Sequence, residues 1–391
     1  MAHESEKSSS NSLLGVGVVV IGRNEGERFR RCVQSLVGGG SMVVYVDSGS
    51  SDGSQTFARA AGVEVVDLDM STPFTAARAR NAGLARLVEL LPDVEFVQFV
   101  DGDCEVHGGW PAAAANALRQ EEKLAAVSGR LRERFPEKSL YNRLADLEWD
   151  RPVGIEKSCG GNAMFRVRML REVGGYDATL IAGEEPELCA RLRAKGWLIR
   201  RIANEMALHD LAMFKQSQWL TRARRHGFAM LEVSRFKTQA SHGLFQQQMR
   251  SAVIWGLVVP GVMWVFVVSF AVQQALTWTA LLLVFGGRPD MNYAAYVDES
   301  LVTKLEFLVH ITRMLSVPAT LLALVTIGQW LRLASRARRE KGLSWREALL
   351  YSRLLLASKA SNVRGMWQML RRRWNKARAT LIDYKTQESG K

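Results

Sequence analysis

Between residues 13 and about 235 the chain alternates short apolar runs with segments of helical spacing. Residues 17–21 (GVVVI) form a continuous apolar run, the pattern of a strand buried on both faces. Residues 27–36 (ERFRRCVQSL) then repeat at helical spacing and stop at Gly38-Gly39-Gly40. The same reading predicts strands over 42–46 (MVVYV), 63–66 and 95–100 (EFVQFV). Helices are predicted over 54–61 and over 75–91, the second stopped by Pro92. Alternation at this spacing predicts an α/β fold with a doubly wound, mostly parallel sheet.

Beyond residue 236 the pattern changes. No charged residue lies between Arg250 and Arg288, and a second uncharged stretch separates Arg313 from Arg332. A bilayer core takes about 20 helical residues, so 314–331 can just span it and the first stretch exceeds one span. A spanning helix is expected near 251–272, then a bend at Gln273-Gln274 and an interfacial or re-entrant segment over 275–287. The intervening segment is slightly acidic, whereas the chain after Leu331 opens with RLASRARREK. Positive-inside bias then predicts a multi-pass protein of the inner (cytoplasmic) membrane, with two crossings and both ends cytoplasmic. The expected organisation is a disordered lead-in at 1–12, an α/β domain at 13–235, a membrane region at 236–333 and a basic tail at 334–391. Within the tail, leucines and tryptophans alternate with Arg and Lys over 344–374. That pattern suits a helix lying on anionic headgroups and suits a solvated basic helix equally.

Composition sharpens the picture. Of 391 residues 48% are hydrophobic and 23% charged, which excludes a disordered chain. The net charge is +13, but from Arg332 to Lys391 there are 16 Lys+Arg against four acids, leaving +1 for the other 331 residues. A charge confined to the tail argues against a nucleic-acid partner. Cys32, Cys104, Cys159 and Cys189 lack metal-finger spacing and read as reduced, buried thiols. The polar N-terminus has no apolar h-region, so no cleaved signal peptide is expected.

In open α/β sheets, ligands bind beyond the carboxyl ends of the strands. Three polar turns open there: Gly22-Arg23-Asn24-Glu25, the loop from Asp47 to Gly53, and Asp101-Gly102-Asp103. No GxGxxG follows a strand and no GxxxxGK[ST] occurs, so the dinucleotide and P-loop readings fail. Asp101 and Asp103 put two carboxylates on one tight turn, which suits a divalent cation with positions open for substrate phosphates. The neighbours Cys104, Glu105 and His107 match no motif and read as structural.

These residues resemble the inverting family-two glycosyltransferases, whose catalytic domain has the GT-A fold. The likeness runs in order through VVVIGRNE, VYVDSGSSDGS, ARARNAGL, FVQFVDGD, GGNAMFRVRMLREVGGYD, AGEEPELCARLRAKGW and MALHDLAM. It implies that Asn24, Glu25 and Asp47 line a nucleotide pocket, with Asp47 facing the base. By the same likeness Arg80 approaches the nucleotide or its diphosphate and Asp101 the ribose. Asp103, with Asp101 and His209, would hold Mg²⁺ or Mn²⁺. Gly160, Gly161 and Asn162 would lie near the acceptor. The expected donor is a nucleotide sugar, of the UDP type, and the expected acceptor a lipid-linked saccharide or glycan at a membrane.

Glu184-Glu185 stands where the resemblance places a general base. Pro186 in the first helical turn puts Glu185 at or beside the N-cap of a helix ended by Gly196. A helix N-terminus favours the ionised carboxylate while the neighbouring glutamate opposes it. Either glutamate fits the role. Processive relatives carry QxxRW, whereas here Gln218-Trp219-Leu220-Thr221-Arg222 displaces the tryptophan. Transfer of a single sugar, in cell-surface polysaccharide or glycolipid assembly, is therefore favoured. Trp219, Arg222 and Arg225 would touch the acceptor's phosphates or sit at the headgroup level. The alternatives are a polyprenyl-phosphate sugar synthase, which needs no base, and an inactive membrane scaffold.

Overall fold

The computed structural model describes residues 13–285 and 299–375. The lead-in at 1–12, the acidic segment around Asp290 and residues 376–391 lie outside them. The chain divides into two compact units, Met1–Met249 with Arg364–Lys391, and Arg250–Val363.

The first unit is built on a nine-stranded sheet. Its first half follows the apolar runs: β1 (Val16–Gly22), β2 (Met42–Asp47), β3 (Glu64–Asp67) and β4 (Phe96–Asp101) alternate with α1 (Glu27–Leu36), α2 (Ser54–Ala60) and α3 (Ala76–Leu90). β1 shows why the run is continuous. Val18 and Val20 face one core with Phe29, Cys32 and Val33 of α1. Val19 and Ile21 face the other with Ala77, Leu84 and Leu87 of α3. Both faces are covered, so no position on the strand is left for a polar side chain.

The remaining elements are β5 (Cys104–Val106), α4 (Trp110–Gln120), β6 (Leu124–Glu133), α5 (Leu140–Trp149), β7 (Gly154–Ile155), β8 (Ala163–Arg166), α6 (Val167–Glu172), α7 (Glu184–Ala194), β9 (Leu198–His209) and α8 (Gln216–Phe236). The strand order is β3-β2-β1-β4-β8-β6-β9-β5, with β7 on β9. β1, β2, β3 and β4 pair in parallel. β8 runs antiparallel to β4 and β6, and β5 and β7 antiparallel to β9. The sheet is therefore mixed rather than mostly parallel. A buried apolar run reports burial on both faces; it carries no mark of strand direction.

The second unit is helical. α9 (Gln246–Val253) continues through a π-helical turn at Ile254–Val258 into α10 (Val259–Phe285). Pro260 has no N–H and its ring crowds the carbonyl four residues back, which explains the widened turn just before it. The helix does not end at Gln273-Gln274: Gln is a good helix former and α10 continues through both residues. Thr277 and Thr279 return their hydroxyls to the carbonyls of Gln273 and Ala275, at 2.9 and 2.8 Å. Gln246–Thr279 is 34 residues long with a mean hydropathy of 2.2 over its most apolar stretch, long and apolar enough to cross a membrane. It is the only such helix among the described residues. The second expected span, 314–331, lies inside α11 (Glu299–Lys341), which carries Pro318 and many charges.

The last helix is α12 (Trp345–Trp374). Its final residues belong to the first unit, where Met369 is buried with Ile181 and Phe228. Within the expected tail of 334–391, the last turns of α12 therefore pack on the α/β unit.

Candidate active site

The three polar turns meet at one edge of the parallel half. Asn24, in a left-handed conformation at φ 54°, donates its backbone N–H to Ser50 Oγ at 3.0 Å and accepts from Ser51 N at 2.8 Å. The β1 and β2 turns are locked together by this exchange, and Gly26 N adds a bond to Asp52 at 2.8 Å. Asp47 is buried and accepts from Tyr45 Oη, Gly49 N, Ser50 N and Gln55 Nε2 at 2.7–2.9 Å. Burial opposes its ionisation, but the bonds from Ser50, Gln55 and Tyr45 hold it below its ordinary value. Asp47 thus braces the turn after β2 from inside. Glu25 forms an ion pair with Arg28 at 2.9 Å.

β4 delivers Asp101, and a two-residue turn then brings Asp103 to the start of β5. Asp101 is fixed by Asn162, whose Oδ1 accepts from the Asp101 backbone N–H at 3.0 Å. Asp103 is buried, with Oδ2 3.0 Å from His209 Nε2. The pairing Cys104↔His209 of β5 with β9 enforces this meeting across 106 positions of sequence. Cys104 belongs to the same group: ligand atoms of Asp103, Cys104 and His209 lie within 4.8 Å of one another. The reading of Cys104 as purely structural is corrected to that extent. A carboxylate oxygen beside an imidazole nitrogen suits a divalent cation of the Mn²⁺ or Mg²⁺ kind.

Sequence reasoning missed Trp149, at the end of α5, whose ring lies 4.9 Å from that of His209 at 30°. It also missed Glu133, which accepts from Phe135 N, Leu211 N and Asn142 Nδ2 at 3.1 Å each. Glu133 thereby fastens the loop after His209. Burial pushes its carboxyl up to about 7, against the lowering effect of those backbone bonds. No local motif marks either residue; Glu133 meets its partners through the β6–β9 pairing, and Trp149 reaches His209 from the end of α5.

α7 supplies the second half of the site. Gly183 caps it at φ 85°, a left-handed conformation that disfavours any residue with a Cβ. Glu184 and Glu185 are therefore its first two residues, one step further into the helix than the Pro186 argument places them. Arg80 of α3 joins the two halves. Its Nη1 lies 2.9 Å from Glu184 and 3.1 Å from Glu185, and its Nη2 3.0 Å from Asp101. Only 2% of the Arg80 side chain is exposed. It is committed to three carboxylates and is not presented to a diphosphate, so the expected nucleotide contact is replaced by a supporting one. Burial would depress this guanidinium, and the charges of Glu185, Asp101 and Glu184 hold it well above its usual range.

The two glutamates now separate. Glu184 is buried, while 17% of the Glu185 side chain is open to solvent. Burial and then the charge of Glu184 push Glu185 up to about 7, with Arg80 opposing. Gly161 lies directly against this cluster: a Cβ there would be 2.8 Å from Asp101 Oδ2 and 3.2 Å from Glu185 Oε1. Gly160 has open space around its Cα, and Asn162 serves Asp101 as described.

The residues expected beside the acceptor divide. Trp219 is 4% exposed and packs on Tyr141 at 6.2 Å, so it faces the interior rather than the headgroups. Gln218 caps α8 by accepting from Phe214 N and Lys215 N. Arg222 pairs with Glu148 at 3.2 Å, one residue before Trp149, and Arg225 is half-buried.

The family description Glycosyl transferase family 2 matches residues 17–174, and Glycosyl transferase family group 2 matches residues 150–294. The two matched ranges are similar to glycosyltransferase domains and together run from residue 17 to residue 294. The pre-mycofactocin glycosyltransferase of Mycobacterium tuberculosis is 29% identical over 210 residues, covering 50% of this chain and 42% of that protein. The chain thus spans less than half the length of the curated relative it matches. A mannosyltransferase from Pyrobaculum calidifontis, solved with GDP-Man and Mn²⁺, superposes with a TM-score of 0.51 at 16% identity. That likeness covers 92% of this chain and 87% of the other, and establishes a shared GT-A-type fold.

Proposed function

We propose that the protein transfers one sugar from a nucleotide-diphosphate sugar to a hydroxyl acceptor with inversion, and that Glu185 is the base. The observation that carries this reading is a single carboxylate, pushed up to about 7 and still accessible, held by Arg80 beside the Asp101–Asp103 turn. A general base works best when its pKa lies near the operating pH. Glu185 meets that condition at neutral pH, whereas Glu184 is buried behind it.

Asp103 and His209 would hold the divalent cation, which when bound supplies positive charge to the departing nucleoside diphosphate. The turns carrying Asn24 and Glu25, braced by Asp47, shape the nucleotide side. Gly161, with no side chain of its own, lets the backbone lie against Arg80, Asp101 and Glu185. Glu185 takes the acceptor's proton as its oxygen attacks opposite the leaving group, so an α-linked donor gives a β-linked product. The acceptor is proposed to be a lipid-linked saccharide at the cytoplasmic face of a membrane. Two features support a multi-pass anchor there. The helix Gln246–Thr279 contains a stretch long and apolar enough to cross a membrane, and the chain from Arg364 returns to the same unit as the chain up to Met249. A return to one side requires an even number of crossings, for which 314–331 offers the second.

The test is a nucleotide-sugar panel with Mg²⁺ or Mn²⁺, reading nucleoside-diphosphate release. Turnover of one donor that Asp103→Ala abolishes supports the reading. Turnover of none, with the variant indistinguishable from wild type, rejects it. A polyprenyl-phosphate acceptor instead predicts full activity in Glu185→Gln.

A further inference from the structure

The last turns of α12 carry two different faces. On one, Met366 and Met369 are buried, and Met369 packs with Phe228 of α8 and with Ile181, three residues before Glu184. Arg372 reinforces this face, 3.6 Å from Glu232 and over the Phe228 ring at 5.7 Å. Gly365 lets the helix approach α8 so closely that any Cβ would run into the Arg224 carbonyl. The Gly183 cap of α7 rests on the same helix, where a Cβ in its place would lie 3.0 Å from Val233 and 3.1 Å from Ala229. α8 therefore connects the end of α12 to the start of the helix that bears Glu185.

The other face is exposed: Trp367 at 67%, Leu370 at 42% and Trp374 at 89%, with Arg364 and Arg371 between them. Positions 364, 367, 370, 371 and 374 fall on one helical stripe. Two indoles and a leucine on the surface of a water-soluble helix are unfavourable, and arginines beside them rule out a purely apolar occupant. Tryptophan rings prefer the headgroup level of a bilayer, and arginine pairs with lipid phosphate while its stem covers apolar surface.

We infer that the stripe Arg364–Trp367–Leu370–Arg371–Trp374 is an in-plane docking surface for an anionic lipid bilayer, fixing the catalytic unit to the interface where a lipid-linked acceptor is presented. It rests on the membrane placement proposed above. Charge complementarity selects the occupant: each arginine near an anionic surface raises partitioning roughly five-fold, a contribution that salt screens. The apolar helix Gln246–Thr279 holds the chain in the bilayer whatever the lipid charge, so the stripe decides how the catalytic unit lies rather than whether the protein is bound.

The four native cysteines are all buried, which leaves an introduced thiol as the single reactive one. The full chain carrying Leu370→Cys is reconstituted in nanodiscs of phosphatidylcholine alone or with phosphatidylglycerol, and its labelling by a water-soluble maleimide is timed. Ser71→Cys, on an exposed loop of the same unit, is the reference. The expected result is labelling at position 370 slowed at least ten-fold by the anionic lipid. Protection should be reversed by high salt and by Arg364→Gln with Arg371→Gln, with Ser71→Cys unaffected. Equal labelling in both lipids, or protection that persists in detergent and so points to a protein contact, overturns the inference. Donor turnover measured in the same nanodiscs separates the two failures, since turnover with an unprotected stripe leaves the glycosyltransferase reading standing.

Discussion

Arg80→Met removes a cation that three carboxylates surround. Breaking a buried charge pair by deleting one partner costs about 3–5 kcal/mol, because the other charge is left buried and uncompensated. Glu184 and Glu185 both lie within 3.1 Å of Nη1 and carry most of that penalty. Asp101 is 36% exposed, so water screens its share. The variant should therefore be less stable by an amount within this range. Its effect on the base has a definite sign. Arg80 favours the ionised form of Glu185, so its loss drives that carboxyl above the present value of about 7. Glu185 then stays protonated to higher pH, and the acid limb of kcat/KM moves upward. The assay is a pH–rate profile on the purified enzyme beside a thermal melt. Arg80→Lys is the companion: it keeps the charge but cannot fork between Asp101 and the glutamates, so its limb should move less while its rate still falls. An unmoved acid limb in Arg80→Met, or a melt equal to wild type, would refute the supporting role. A simple rise in donor KM with both unchanged would return Arg80 to the diphosphate.

Two further substitutions probe the same cluster. Gly161→Ala places a methyl against Arg80 Nη2, 2.8 Å from Asp101 Oδ2 and 3.2 Å from Glu185 Oε1, so the guanidinium and the carboxylates it holds must shift. A displacement of that size predicts a loss on the order of 100-fold in kcat/KM, checked by initial rates, with metal affinity little changed. Glu184→Gln deletes the like charge that raises Glu185, and the acid limb should move to lower pH. A fall in rate as deep as that expected of Glu185→Gln would mean that the two glutamates have been assigned in the wrong order.

The parallel half of the sheet was readable because its strands are buried on both faces and separated by punctuated helices. The helix at 27–36 has the bounds the spacing predicts, the strand at 17–21 is longer by one residue at each end, and that at 42–46 by one residue at its end. The other half was not readable, since β8 reverses direction through pairings that no local period encodes. The site divides the same way. Asp101, Asp103 and Glu185 sit next to elements with strong local signals, and they converge. Arg80, Trp149 and Glu133 take their roles from contacts spanning tens of residues, so residue type alone misleads. Arg80 looks like a phosphate ligand until its burial is seen. Trp219 looks like a headgroup anchor until Tyr141 covers it. The end of α12 was legible as amphipathic, but which face would be free depended on Gly365 and Met369 finding α8.

The most direct test of the account follows one linkage through two enzymes. With the donor identified from the panel, the anomeric configuration of the transferred sugar is read by NMR, and the rate is compared between wild type and Glu185→Gln. The account predicts a β-linked product from an α-linked donor, and a fall of about 10²–10⁴-fold in Glu185→Gln with donor binding retained. A retained α-linkage, or a Glu185→Gln enzyme that works at the wild-type rate, would contradict it.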